Sequence, residues 1–376
     1  MGRKLNLAVV GLRFGGAFPP IYLAHPEVAR VAICDRDPAV LAAYGDRFGI
    51  RERFTDVKAL LADPAWDAVH LVTGIPNHAE LTLAAMAAGK HCACTVPMAT
   101  RLEDLAAIVA LSKKSGLRYM MMETAVYTTQ YLHARAMHAR GEFGRVQFLR
   151  GAHYQDMEHW PAYWLGLPPM WYATHALSPL LALQGVWAQR VCCFGSGAMR
   201  PELQKIYGNP FPIETALFRL SNGLAAEATR SLFQTAHAYL ESFHVLGEKK
   251  SFEWHVENES PIITTMEPNE ASQRGNRVAT EPVQAEDRKD LLPLELRPFT
   301  EAHVVPDPQS PHQSIKQGGG HHGSHPHLAH EFVRSVVEGR PSAIDAVTAA
   351  HWTAAGICAH ASAMQDGKEV AVPDFS

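Results

Sequence analysis

The first 125 residues alternate short apolar runs with longer amphipathic stretches. The runs are LNLAVVG (5–11), VARVAICD (28–35), DAVHLVTG (67–74), HCACTVP (91–97) and LRYMMME (117–123). Near-continuous apolar runs of this length, rather than alternating ones, predict strands covered on both faces. The stretches between them have helical character. In DPAVLAAYGDRFG, Asp37 is placed to cap a helix and Pro38 to occupy its first turn. Strand and helix in regular alternation predict an α/β domain with a doubly wound parallel sheet over residues 1–124.

From about residue 125 the pattern changes. A helix over roughly 127–141 leads into VQFLRGAHYQ, and ALFRLSNGLAAEATRSLF and YLESFHVLGEKKSFEW alternate around glycine turns. Such alternation predicts antiparallel strands and hence an α+β domain with an open, mostly antiparallel sheet over 125–376. Residues 256–320 are rich in Pro, Glu, Gln and Asn and read as long loops. HPHLAHEFVRSVVEG returns to helix, and a last helix is expected over about 345–366, both packing back on the body of the protein. There is no internal repeat.

A chain of 376 residues is too long for one ordinary core, in keeping with two domains. With 47% hydrophobic and 19% charged residues it has the profile of a soluble globular protein. Its 34 basic and 38 acidic residues give a net charge of -4, with no basic stripe for nucleic acid and no polybasic run for a membrane surface. No apolar run approaches the roughly 18 residues needed to span a bilayer, and MGRKLNLAVVG enters a strand without a signal-peptide core. A cytoplasmic location is expected. Cysteines 34, 92, 94, 192, 193 and 358 contain no CxxC pair and read as reduced core thiols.

The chemistry begins at Gly11-Leu12-Arg13-Phe14-Gly15-Gly16, after the first strand and before a helix. A pyrophosphate needs backbone amides at close approach and the positive end of a helix. Gly11 and Gly16 stand where the first and third glycines of a G-x-G-x-x-G motif belong, and Arg13 replaces the second. That arginine either crowds the usual pose or itself neutralises phosphate. Asp35 ends the second strand at the distance expected of a carboxylate that takes a ribose diol, which favours NAD; Arg36 beside it leaves NADP open. TGIPNHAE follows the third strand, where Pro76, Asn77 and His78 are placed to line the cofactor crevice, with Asn77 also a candidate helix cap.

These residues, with ICDRDP, AGKHCACTVP and the closing DAVTAAHWTAAGICAHASAMQDGKEVAVPDF, resemble the Gfo/Idh/MocA family of sugar oxidoreductases over most of the chain. The resemblance implies an NAD-binding Rossmann domain, then a domain for substrate binding and oligomerisation, and a homo-oligomer built through its sheets. It also marks a departure. Where the family carries an acid, a lysine and a proline, this chain has Thr95-Val96-Pro97. Val96 and Pro97 remain candidates for the cofactor wall, but Val96 moves no proton.

A second set of motifs, MMMETAVY (120–127), GAHYQDM (151–157) and PMWYATHALSP (169–179), resembles the branch of the family that hydrolyses glycosides with NAD. That branch includes α-N-acetylgalactosaminidases and is similar to sulfoquinovosidases. By motif position the resemblance implies Tyr172, His175, Tyr154 and Glu123 as catalytic residues and Tyr127, His153 and Trp171 as substrate contacts. Tyr172 and His175 are three apart, one helical turn, so both can face one pocket; a hydrogen-bonded core pair is the plain alternative. In GGGHHGSHPHLAHEF, His322 and His325 are further candidate substrate contacts. The irregular spacing of that cluster, with no cysteine and no H-E-x-x-H, argues against a metal.

Together these features predict an NAD-dependent glycosidase that oxidises a sugar hydroxyl, eliminates the aglycone, adds water and re-reduces. An ordinary glycosidase would instead need two flanking carboxylates. The alternatives are a sugar or polyol dehydrogenase with His175 as base, and a nucleotide-binding scaffold. The substrate is a small sugar glycoside. Arg150 and the His and Trp content of residues 151–164 suit an anionic substituent, and stacking on any pyranose fits equally.

Overall fold

The computed structural model describes residues 4–160, 166–269, 271, 275–307 and 310–376. The chain divides into two compact units: Met1–Thr128 with Arg288–Ala350 and Phe375–Ser376, and Thr129–Asp287 with His351–Asp374.

In the first unit β1 (Leu5–Val10), α1 (Pro19–Ala24), β2 (Val28–Cys34), α2 (Pro38–Arg47), β3 (Arg53–Phe54), α3 (Val57–Ala62), β4 (Ala68–Leu71), α4 (His78–Ala87), β5 (His91–Thr95), α5 (Leu102–Ser115) and β6 (Tyr119–Met122) follow in order. The strands form a six-stranded sheet in the order β3-β2-β1-β4-β5-β6, every pairing parallel. This is the doubly wound arrangement that the apolar runs predict. Residues of β1 and β4 to β6 are almost all buried because helices cover both faces. Asp37 caps α2 as expected, accepting from the Ala39 and Val40 amides, with Pro38 in the first turn.

The second unit begins with α6 (Thr129–Ala139), β7 (Val146–Tyr154), α7 (Thr174–Gln184), β8 (Ala188–Ser196), α8 (Pro201–Tyr207), β9 (Ile213–Leu220), β10 (Ala225–Ser231), β11 (Leu240–Gly247), β12 (Lys250–Trp254), β13 (Ile262–Pro268) and β14 (Asn276–Pro282). Residues 288–350 then add β15 (His303–Asp307), β16 (Ser310–Gln317) and α9 (Ser324–Glu338). The chain ends with α10 (Ala346–Ala363) and β17 (Val370–Ala371). The second sheet has nine strands in the order β14-β13-β12-β11-β7-β10-β9-β8-β17. It is antiparallel except where β7 and β10 run side by side in parallel.

The expectation of long loops over 256–320 is corrected by two hairpins, β13–β14 and β15–β16. Every residue of β14 is exposed, so no buried face imposes the alternation by which a strand is read. Pairing with β13, including a Thr264–Thr280 hydroxyl contact at 3.3 Å, is what holds it.

Gly151 sets how closely α7 lies on the sheet. A Cβ there would stand 1.9 Å from the Ala176 carbonyl oxygen, so only glycine permits this approach of helix to β7.

Candidate active site

The nucleotide loop starts where β1 ends. Gly11 has φ +88°, and a Cβ on it would meet the Val72 carbonyl oxygen at 2.2 Å; a Cβ on Gly16 would meet the Tyr44 ring at 2.0 Å. Glycine is therefore required for the loop to pack this closely on Val72 and Tyr44, and the cradle it forms is free of side chains at these positions, as a pyrophosphate held against backbone needs. The helix after it differs from expectation. It begins as a 3-10 turn over Gly15–Ala17 and becomes α-helical only at Pro19, because two glycines resist helix and two prolines bring no amide hydrogen.

Asp35 Oδ2 accepts the Leu12 amide at 2.9 Å and Oδ1 the Asp37 amide at 3.0 Å. A carboxylate offers about four acceptor positions, so capacity remains for a ribose diol. Arg13 lies 3.7 Å from Asp37 with its side chain 73% exposed; it points outward and does not fill the cradle. Arg36 is exposed, as are Pro76 and Asn77. Asn77 precedes α4 but makes no side-chain cap bond, contrary to the cap expectation.

His78 is fully buried. Nδ1 lies 2.7 Å from the Pro97 carbonyl oxygen and Nε2 3.0 Å from that of Thr73. Nε2 also lies 3.4 Å from the Thr95 hydroxyl. Burial alone would lower its pKa; Cys94 and the two carbonyls reverse this and hold it up at about 9. Its place is inside, tying the ends of β4 and β5 together, with Val96 and Pro97 buried next to it.

Glu123 is buried and caps the turn after β6, Oε1 accepting the Ala125 amide at 2.9 Å. Tyr127 stacks on His327, ring centres 6.3 Å apart. The histidine-rich segment meets the nucleotide loop: His325 lies 4.7 Å from Phe18 and 5.8 Å from Phe14, and His321 lies 5.9 Å from Phe14. His322 has φ +51°. Among the described residues, no three of His, Cys, Asp or Glu are grouped to hold a metal.

In the second unit Tyr172 closes a 3-10 turn and His175 lies in the first turn of α7, so the pair spans two elements rather than one helix. They still meet: Tyr172 Oη and His175 Nε2 are 3.3 Å apart, rings perpendicular. His153 lies beside them, its ring 5.0 Å from His175, 6.2 Å from Tyr172 and 5.2 Å from Tyr239. Burial, then Glu241, which Tyr239 contacts, raises the Tyr239 pKa.

Two expected residues stand apart from this group. Tyr154, next along β7, packs on His237 at 4.9 Å. Trp171 packs on His360 at 5.9 Å; His360 in turn meets Glu214 at 2.7 Å, and Glu214 accepts the Met170 amide at 2.8 Å. Residues 161–164 of the aromatic segment lie outside the described residues.

Sequence reasoning missed Tyr239 and Arg230. Arg230 is wholly buried, with its guanidinium carbon 5.3 Å from the Tyr172 ring centre. A signal existed: Ala226, Ala228 and Arg230 occupy alternate positions of β10, and a charge on the inward register requires a partner.

Residues 5–123 match the Gfo/Idh/MocA profile, described as an oxidoreductase family with an NAD-binding Rossmann fold. Glycosyl hydrolase family 109 protein 1 of Bacteroides fragilis is 22% identical, covering 99% of this chain and 85% of its own length. D-apiose dehydrogenase of Rhizobium rhizogenes is 34% identical, over 30% of this chain and 33% of its own. A solved levoglucosan dehydrogenase, in complex with NADH and levoglucosan, has a TM-score of 0.75 at 21% identity, covering 99% of this chain and all of that one. That last likeness is one of fold.

Proposed function

We propose that this chain, whose residues 5–123 form an NAD-binding Rossmann domain of the Gfo/Idh/MocA oxidoreductase family, is an NAD-dependent glycosidase. Its substrate is a small sugar glycoside, and its net reaction is hydrolysis with the cofactor unchanged. The observation that carries this reading lies within the second unit: a tyrosine and a histidine 3.3 Å apart beside a second histidine, in a chain that has Val96 where an ordinary member carries lysine. The enzyme has lost one proton acceptor and holds another.

NAD, when bound, supplies a hydride acceptor that gives back what it takes. Gly11, Gly15, Gly16 and Asp35 would hold it. Tyr172, with His175 behind its hydroxyl, accepts the proton of the sugar hydroxyl being oxidised. The ketone so formed acidifies the adjacent C–H; a second base removes that proton, and the aglycone oxygen one carbon further departs with a proton. Tyr154 and Glu123 are the remaining acid/base candidates for those transfers. Water then adds to the enone, and reduction of the ketone completes the sugar.

The test is incubation with aryl glycosides, neutral and anionic, with trace NAD in heavy water. Free aglycone, solvent deuterium at the carbon beside the oxidised one and no accumulating NADH are expected. Stoichiometric NADH with the glycosidic bond intact would establish a sugar dehydrogenase instead.

A further inference from the structure

Four neighbouring strands of the second sheet align ionisable residues in one row. Glu214 of β9 pairs in register with Arg230 of β10, Arg230 with His153 of β7, and His153 with Glu241 of β11. Each is at most 2% exposed. Both carboxylates have other engagements, Glu214 with His360 and the Met170 amide and Glu241 with the Tyr239 hydroxyl.

Arg230 stands between them, and among the described residues no carboxylate pairs with it. Its donors go to neutral oxygens. Nε donates to the Tyr172 carbonyl at 3.0 Å, Nη1 to the His153 carbonyl at 3.1 Å and also to that of Ser231, and Nη2 to Gln155 Oε1 at 3.1 Å. Burial draws its pKa down to about 10 against the opposing pull of Tyr172, Tyr239 and Glu241, so it stays charged at neutral pH. A buried charge without a counter-ion is costly, and neutral donors could satisfy carbonyls at less expense. The aromatic ring beside it is Tyr172.

We propose that Arg230 is a positioning residue for the Tyr172–His175 pair: its charge beside the Tyr172 ring favours the phenolate, and its hold on the Tyr172 and His153 carbonyls fixes the ring against His175. This rests on the reading of Tyr172 as proton acceptor. A cation within about 4–6 Å favours the ionised form of an acid. Among the described residues, the titratable groups around Tyr172 are His175 from α7, His153 from β7, Tyr239 just before β11, Glu241 in it, and Arg230 from β10. Arg230 is the permanent cation among them, and Glu241, which opposes it, is engaged by Tyr239.

The test follows Tyr172 directly. Tyrosine labelled with carbon-13 at Cζ is incorporated into the full chain, the Tyr172 signal is assigned by its loss in Tyr172→Phe, and the spectrum is titrated with pH. Tyr172 in the unmodified protein should ionise about 1–3 units below the ordinary phenol value of about 10. Arg230→Gln should move its midpoint upward, Arg230→Lys should restore part of the shift, and NAD affinity should not change. The pH profile of kcat/KM on an aryl glycoside should move with the midpoint in Arg230→Gln, KM changing little. A Tyr172 midpoint at or above the ordinary value in the unmodified protein overturns the proposal, a measurement that needs no Arg230 variant to fold. A midpoint unmoved in folded Arg230→Gln overturns it as well. If no glycoside is cleaved while Tyr172 ionises low and follows Arg230, the functional reading fails and this inference stands.

Discussion

Asp35 Oδ2 accepts the backbone N–H of Leu12 at 2.9 Å, so one carboxylate at the end of β2 organises the nucleotide loop; in the proposed reading the same carboxylate takes the ribose diol. Asp35→Ala should weaken NAD about 10- to 100-fold, the value of one or two hydrogen bonds to a charged group. It should not improve NADP by a like factor unless Arg36 engages the 2′-phosphate. Cofactor titration by fluorescence measures both. Unchanged NAD affinity would place the ribose elsewhere.

Tyr172→Phe and His175→Ala should each lower turnover about 10²–10⁴-fold, the usual contribution of a positioned proton acceptor. Melting temperature and NAD affinity should stay close to those of the parent. The pair serves only packing if both variants melt early while activity per folded molecule is normal.

Gly151→Ala tests the seating of α7 on the sheet. With the Ala176 carbonyl oxygen 1.9 Å from the new Cβ, the helix must shift, at about 1–3 kcal/mol for an overpacked site. Denaturant unfolding should detect that loss, and turnover should fall too, because His175 lies in the first turn of the same helix. Unaltered stability would mean that α7 has room to yield.

His25 and His330 form a hydrogen bond of 3.0 Å, and the Glu27 amide donates to His25 Nδ1 at 3.1 Å. His25 must then carry its hydrogen on Nε2 and donate to His330 Nδ1, so both rings are neutral. Burial first, then His330 and Arg334, lowers the His25 pKa to about 3 from 6.5; burial and Arg334 lower that of His330, with Glu27, Glu331 and Glu338 opposing. The unfolded chain takes up these protons near pH 6.5 and the folded chain resists them. Stability from the pair is therefore full above pH 6.5 and is lost as pH falls from there toward 3. His330→Asn keeps an acceptor without the titration, and its melting temperature should depend less on pH in that window. An identical slope in parent and variant would remove the pair from the acid response.

The parallel sheet, the glycine cradle and the Asp37 cap were legible because each depends on neighbours in sequence: an apolar run, a turn that tolerates only glycine, a side chain two or three residues from the amides it binds. The Tyr172–His175 contact was legible for the same reason, although the turn that closes it is 3-10 before it is α. The β13–β14 and β15–β16 hairpins were not, since strands without a buried face carry no alternation. Nor could local pattern say that His78 lies inside between two carbonyls, or that Trp171 packs on His360 while Tyr172 faces His153. The row Glu214, Arg230, His153 and Glu241 draws on four strands spread over 89 residues of chain. Spacing along the chain sets which face of a strand a residue occupies; only the register between strands, fixed when the sheet packs under α7, decides which residue on the next strand it meets.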